Sequence, residues 1–191
     1  LIIETISDRG TPEYREDGFV VNPPFFGVID GFSAPHSPQN PPRLFNRMSG
    51  GEMVRKIAIE SFYSAGSDWP LEDVIIVTNK LVRQFQVDSG GIPIDRADLL
   101  AGASFIFLKI EKDRADIVQG GDCLAVCYYV SGKIGMMRNQ AYGHVSRNLE
   151  IIAELMEKHQ GDRKKMWDEF FPILSARRLQ DINNPGSKNS Y

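Results

Sequence analysis

Cysteine is scarce in this sequence of 191 residues: there are two, Cys123 and Cys127. They stand four apart in a strand-like run, which puts them on one face about 13 Å from each other, beyond the reach of a disulfide. That spacing argues against a disulfide framework, a zinc site and a redox pair. Two core thiols in a reducing cytoplasm are expected instead. Neither sign of charge is in excess, since 22 Lys and Arg face 25 Asp and Glu for a formal net charge of −3. No nucleic acid and no membrane is therefore expected as a partner. No apolar run approaches the ~20 residues of a membrane-spanning helix. The chain starts Leu1-Ile2-Ile3, with neither an initiator Met nor a basic n-region, so no signal peptide is read and a start inside a longer polypeptide is expected. Internal repeats are lacking too.

What is there is an ordinary globular balance, 42% hydrophobic and 25% charged, enough for one domain over residues 1–191 with a real core. Leu1–Ile6, Gly18–Asn22 and Phe25–Asp30 read as strands, and Pro23-Pro24 breaks the last two into an antiparallel hairpin. The Pro- and Asn-rich stretch Ser33–Ser49 reads as a loop beside the hairpin's end. Met53, Val54, Ile57, Ala58 and Phe62 recur at helical spacing over Glu52–Ala65, with Ser49 as the cap. A second helix is expected over Leu71–Val87, capped by Ser67 or Asp68 and burying Leu71, Val74, Ile75, Thr78, Leu81, Val82 and Phe85. Ala103–Ile110, Ala115–Gln119, Leu124–Val130 and Lys133–Arg138 read as a four-stranded meander. Helices over Arg147–His159 and Asp162–Phe171 follow, with Leu149, Ile152, Ala153 and Met156 on one face. Leu174–Tyr191 reads as turn-like and loose. Strands, two helices, strands, two helices is an α+β order with antiparallel sheet.

The most informative stretch is Phe25-Phe26-Gly27-Val28-Ile29-Asp30-Gly31-Phe32. Apolar, β-favouring residues run into Asp-Gly, a buried strand stopped by a turn. A carboxylate at the end of a core strand needs a cation, a donor or a proton. Gly31 lacks a Cβ, so its carbonyl can approach a ligand closely. Carboxylate plus carbonyl is hard-oxygen chemistry suited to Mg²⁺, Mn²⁺ or Ca²⁺. Taken alone, the stretch is better read as a strand followed by a turn with a capping Asp, because Asp-Gly turns are common. Two further stretches shift the balance: Arg15-Glu16-Asp17-Gly18 before the preceding strand, and Gly102-Ala103-Ser104 followed by Gly121-Asp122-Cys123.

In that order these motifs resemble the metal-dependent Ser/Thr phosphatases of the PP2C (PPM) family, over roughly residues 1–135. Ile6-Ser7-Asp8-Arg9-Gly10 is similar to the start of bacterial members. The resemblance implies an α-β-β-α sandwich of two antiparallel sheets flanked by helices, and a phosphorylated protein as substrate. It implies two or three Mn²⁺ or Mg²⁺ ions, bridged by Asp30 and bound by the Gly31 carbonyl. Glu16 and Asp17 would hold metal-bound waters, and Asp122 would lie near a third position. A metal-activated water would then attack phosphorus.

The departures are equally plain. The family's phosphate-binding Arg would align with Thr11 or Pro12, leaving Arg9 and Arg15 as the candidates. Phe32 stands where eukaryotic members carry His, and His36 is a lone loop residue. The family's two later aspartates have no counterpart after Asp122, so the C-terminal part of the fold is expected to be missing from this piece. Two rivals stay open, a catalytically inactive PP2C-like binding or regulatory module and a small phosphoester hydrolase on the same fold.

Overall fold

Alternation builds the first hairpin. In β1 (Asp17–Asn22) and β2 (Phe25–Phe32), every second side chain turns to one face, and Pro23-Pro24 forms the two-residue connection. The computed structural model describes residues 2–7, 13–34, 43–93, 95–137 and 142–181. Val20, Phe25 and Ile29 enter a core shared with Ala58 and Phe62 of α1 (Gly50–Ser64), Leu71 and Val74 of α2 (Leu71–Gln84), and Phe107 of β3 (Gly102–Ile110). The Phe62 ring stacks on Phe107 with centroids 4.0 Å apart and meets Phe25 edge-on at 5.8 Å. Such aromatic pairs add to what burial alone contributes.

With β4 (Ala115–Gly120) the strands form one antiparallel sheet in the order β1-β2-β3-β4. Helices α1 and α2 pack on it. A separate two-stranded ribbon pairs β5 (Val126–Tyr128) with β6 (Ile134–Met136). An antiparallel pair of helices, α3 (Tyr142–Lys158) and α4 (Arg163–Asp181), is closed by Ile151, Leu155, Met166 and Phe170. The protein is thus α+β with antiparallel sheets and helices, as the strand and helix order predicts. Among the described residues no helix is long and apolar enough to cross a membrane.

Several expectations are corrected. Residues 2–6 form no strand, and Ile2 and Ile6 are exposed; among the described residues no neighbouring strand offers them a ladder. The expected four-stranded meander breaks after β4: Gly121 adopts a left-handed φ of +76°, and β5 pairs with β6 instead of β4. The cap of α2 is Pro70, with no side-chain hydrogen bond from Ser67 or Asp68. Pro70 has no side-chain acceptor to offer the first-turn amides, and its carbonyl takes the first helical hydrogen bond, from the Val74 amide at 3.3 Å. Leu81 is exposed, and the buried stripe of α2 is Leu71, Val74, Thr78 and Val82. Past Gln84 the chain continues as a π-helical turn, Phe85–Ser89. Helix α4 runs through Pro172 to Asp181, where the sequence reads as loose. Leu149 is exposed, and Ile151 and Leu155 face the helix pair.

Candidate active site

The site stands at the end of the β1–β2 hairpin. Asp17 pairs with Asp30 across the antiparallel register, and Asp30 pairs in turn with Ser104 of β3. Residues opposite one another share a face, so the expected meeting of the two carboxylates at one rim is observed. The pKa of Asp30 is pushed up to about 6, first by partial burial, then by the Asp17 charge and a hydrogen bond between the two carboxyls, and further by Asp122 and Glu16. Like charges this close cannot both ionise freely.

Asp122 arrives by a different route. The turn at Gly121 carries its backbone under β3, where the Asp122 amide donates to Ser104 Oγ at 3.3 Å. A methyl group on Gly121 would collide with that hydroxyl. The neighbouring Cys123 thiol is pushed up to about 11, by burial first and then by Asp30 and Asp122. It stays a neutral thiol at physiological pH, and both cysteines are free. Positions 17, 30 and 122 therefore lie within electrostatic reach of one another although far apart in sequence.

Glu16 is tied to the helical layer. Its Oε1 accepts from Ser33 Oγ at 2.8 Å and Ser49 Oγ at 2.5 Å, and its backbone carbonyl accepts from the Gly31 amide at 3.2 Å. Ser49 also caps α1 by accepting from the Glu52 amide at 3.1 Å, and Ser33 Oγ accepts from the Gly51 amide at 3.2 Å. A negative charge at a helix N-terminus is favourable. Glu16 and two serines thus clamp the end of β2 onto the start of α1. Gly31 and Gly51 make that approach possible: a Cβ on Gly31 would lie 2.5 Å from the Gly51 carbonyl oxygen, and one on Gly51 would lie 2.7 Å from Glu16 Oε1. Close passage of backbones accounts for Gly31 without any ligand.

Arg15 is exposed and donates to Ser7 Oγ at 3.4 Å. Arg9 and His36 lie outside the described residues. Sequence reasoning missed Ser33 and the link from Ser104 to the Asp122 amide. Ser104 stood in the Gly-Ala-Ser motif, and Ser33 carried no signal. Among the described residues no group of three or more His, Cys, Asp or Glu side chains is placed to hold a metal ion. The facing pair Asp17 and Asp30 does suit a hard divalent cation in its chemistry, because such an ion would relieve the repulsion that raises the Asp30 pKa.

No protein-family model and no curated protein matches this sequence. The PPM Ser-Thr phosphatase MsPP from Mycobacterium smegmatis, solved in complex with cacodylate, is similar in structure with a TM-score of 0.46 and 12% identity, covering 81% of this chain and 56% of that one. The Mycobacterium tuberculosis serine/threonine phosphatase PstP/Ppp is similar with a TM-score of 0.49 and 11% identity, covering 75% of this chain and 58% of that one. The chain spans less than two thirds of the length of either.

Proposed function

We propose that this chain is part of a cytoplasmic, metal-dependent phosphatase of the PP2C type, acting on phosphoserine and phosphothreonine in proteins. The observation that carries the reading is the register that sets Asp17 against Asp30, with Asp122 drawn to the same rim through Ser104. Asp17 and Asp30 would hold Mn²⁺ or Mg²⁺, with Asp122 nearby. When bound, such an ion polarises phosphoryl oxygens and acidifies a water. Asp30 is largely ionised at neutral pH, since its pKa is about 6. The Glu16, Ser33 and Ser49 hydrogen bonds hold its strand end in place. Cys123, kept protonated, takes no part as a nucleophile. Arg15, and Arg9 outside the described residues, are the candidates for gripping phosphate bidentately.

The test is Mn²⁺-dependent hydrolysis of a phosphoserine peptide by the full-length protein. Hydrolysis that disappears in Asp30→Asn supports the reading, and unchanged hydrolysis in that variant overturns it. A second reading, a PP2C-like module without catalysis, is favoured by one observation: the Glu16 carboxylate is engaged by two serines. Calorimetry with Mn²⁺ separates the two, because a non-catalytic module shows no heat of binding at millimolar metal.

A further inference from the structure

The turn that leads into α1 holds a backbone conformation that one of its residues does not favour. Phe45 and Met48 exchange both backbone hydrogen bonds: the Phe45 amide donates to the Met48 carbonyl at 2.8 Å, and the Met48 amide donates to the Phe45 carbonyl at 2.9 Å. Between them Asn46 and Arg47 have φ of 51° and 70°. A tight turn with two left-handed residues calls for Asn followed by Gly. Asn46 fits, because Asn visits that region readily. Arg47 stands where Gly belongs, in a conformation that costs a residue with a Cβ.

The turn is fixed at both ends. Phe45 is buried with Met53, Val54 and Val82, and its ring lies 5.9 Å from that of Phe85. The Arg43 guanidinium is occupied, donating to the Gly90 carbonyl beside the Phe45 ring. On the other side Ser49, 1% exposed, caps α1 and donates to Glu16 at 2.5 Å. Two residues of chain and that hydrogen bond hold the Arg47 backbone within about 12 Å of the Glu16 carboxylate, next to the rim that carries Asp17. Arg47 itself is exposed, and among the described residues its side chain has neither a hydrogen bond nor an ion pair. No Asp or Glu occurs from Arg43 to Gly51, and the first acid beyond, Glu52, lies 3.8 Å from Arg55. A strained position held by over-determined surroundings is a feature of ligand clamps, and a guanidinium fork matches a carboxylate bidentately.

We propose that Arg47 determines specificity: it grips a carboxylate of the substrate chain, about three to four residues from the phosphorylated one at ~3.3 Å per extended residue, so that acidic phosphopeptides are preferred. The inference rests on the phosphatase reading for its reaction. Its test uses the full-length protein with Mn²⁺ and phosphoserine peptides carrying Glu, or Gln in its place, three and four residues to either side. The parent is expected to show kcat/KM about fivefold higher for the Glu peptides, through KM, and to lose the difference at high salt. Arg47→Gly is expected to bring the Glu peptides down to the Gln peptides while melting no lower than the parent, because Gly suits the turn. Arg47→Lys should keep part of the preference. A parent that hydrolyses p-nitrophenyl phosphate but does not favour Glu, or a preference that survives Arg47→Gly, overturns the proposal and leaves the phosphatase reading standing. A parent that hydrolyses neither p-nitrophenyl phosphate nor any peptide overturns the phosphatase reading. The ratio of Glu-peptide to Gln-peptide affinity, from calorimetry on parent and Arg47→Gly, then decides for or against Arg47 by the same criterion.

Discussion

The two faces of the β1–β2 hairpin differ sharply although their residues alternate along the same strands. On the face against α1, Val20 and Ile29 are 1% and 2% exposed; on the other, Phe19 and Val28 are 36% and 49% exposed. Asp17 and Asp30 belong to the second face by register. A carboxylate pair with raised pKa is tolerable where water reaches it and would be far costlier in the packed layer. Stability is therefore concentrated on one face of these strands, and chemistry is placed at the rim of the other.

The largest effect that would break this contrast is expected from Phe62→Ala. It removes the ring between Phe25 and Phe107 and should cost about 3–5 kcal/mol in a urea melt. A loss near zero would mean that the helical face is not where stability resides. Next comes Gly121→Ala. The left-handed φ of +76° and the collision with Ser104 Oγ should cost roughly 1–3 kcal/mol. The same change should weaken Mn²⁺ binding by moving Asp122, read by calorimetry. Ser49→Ala should cost about 1 kcal/mol, from the lost helix cap and the lost donor to Glu16.

An effect confined to one pH window sharpens the contrast. The folded-state pKa of Asp30 is raised from 3.8 to about 6, so between those values the folded chain binds more protons than the unfolded one. This group's contribution to stability is thus highest at low pH, falls as pH rises from about 4 to 6, and stays low above that. In metal-free protein, Asp30→Asn should gain stability over the parent across that window and hold the gain at neutral pH, followed by melting temperature. Equal pH profiles for the two proteins would remove the carboxyl pairing.

The hairpin, α1 and its cap were legible because their signals are local. Two prolines separate β1 from β2, apolar residues recur at strand and helix periods, and Ser49 precedes its helix by one residue. The meeting of Asp17 with Asp30 followed from the hairpin register. Helix α4 was misread at Pro172, which removes one backbone donor without ending the helix; Phe170, Ile173 and Leu174 pack against α3 on both sides of it. The apolar stripe of α3 was legible in part: Ile152 and Met156 do pack in the helix pair, whereas Leu149 and Ala153 are exposed and Ile151 and Leu155 lie deepest, a choice that only α4 makes. Glu16 reads as an acid beside a metal and turns out to hold two serines, one 33 residues away.

Sequence alone determined the strands and helices of the hairpin and α1, and the rim to which its two acidic residues are delivered, because backbone period and turn chemistry act between near neighbours. Tertiary structure decided the clamp of Glu16 on α1 and the route of Asp122 beneath Ser104. Each depends on which distant segments come into contact, and burial and hydrogen bonding between such segments are set only when the layers pack.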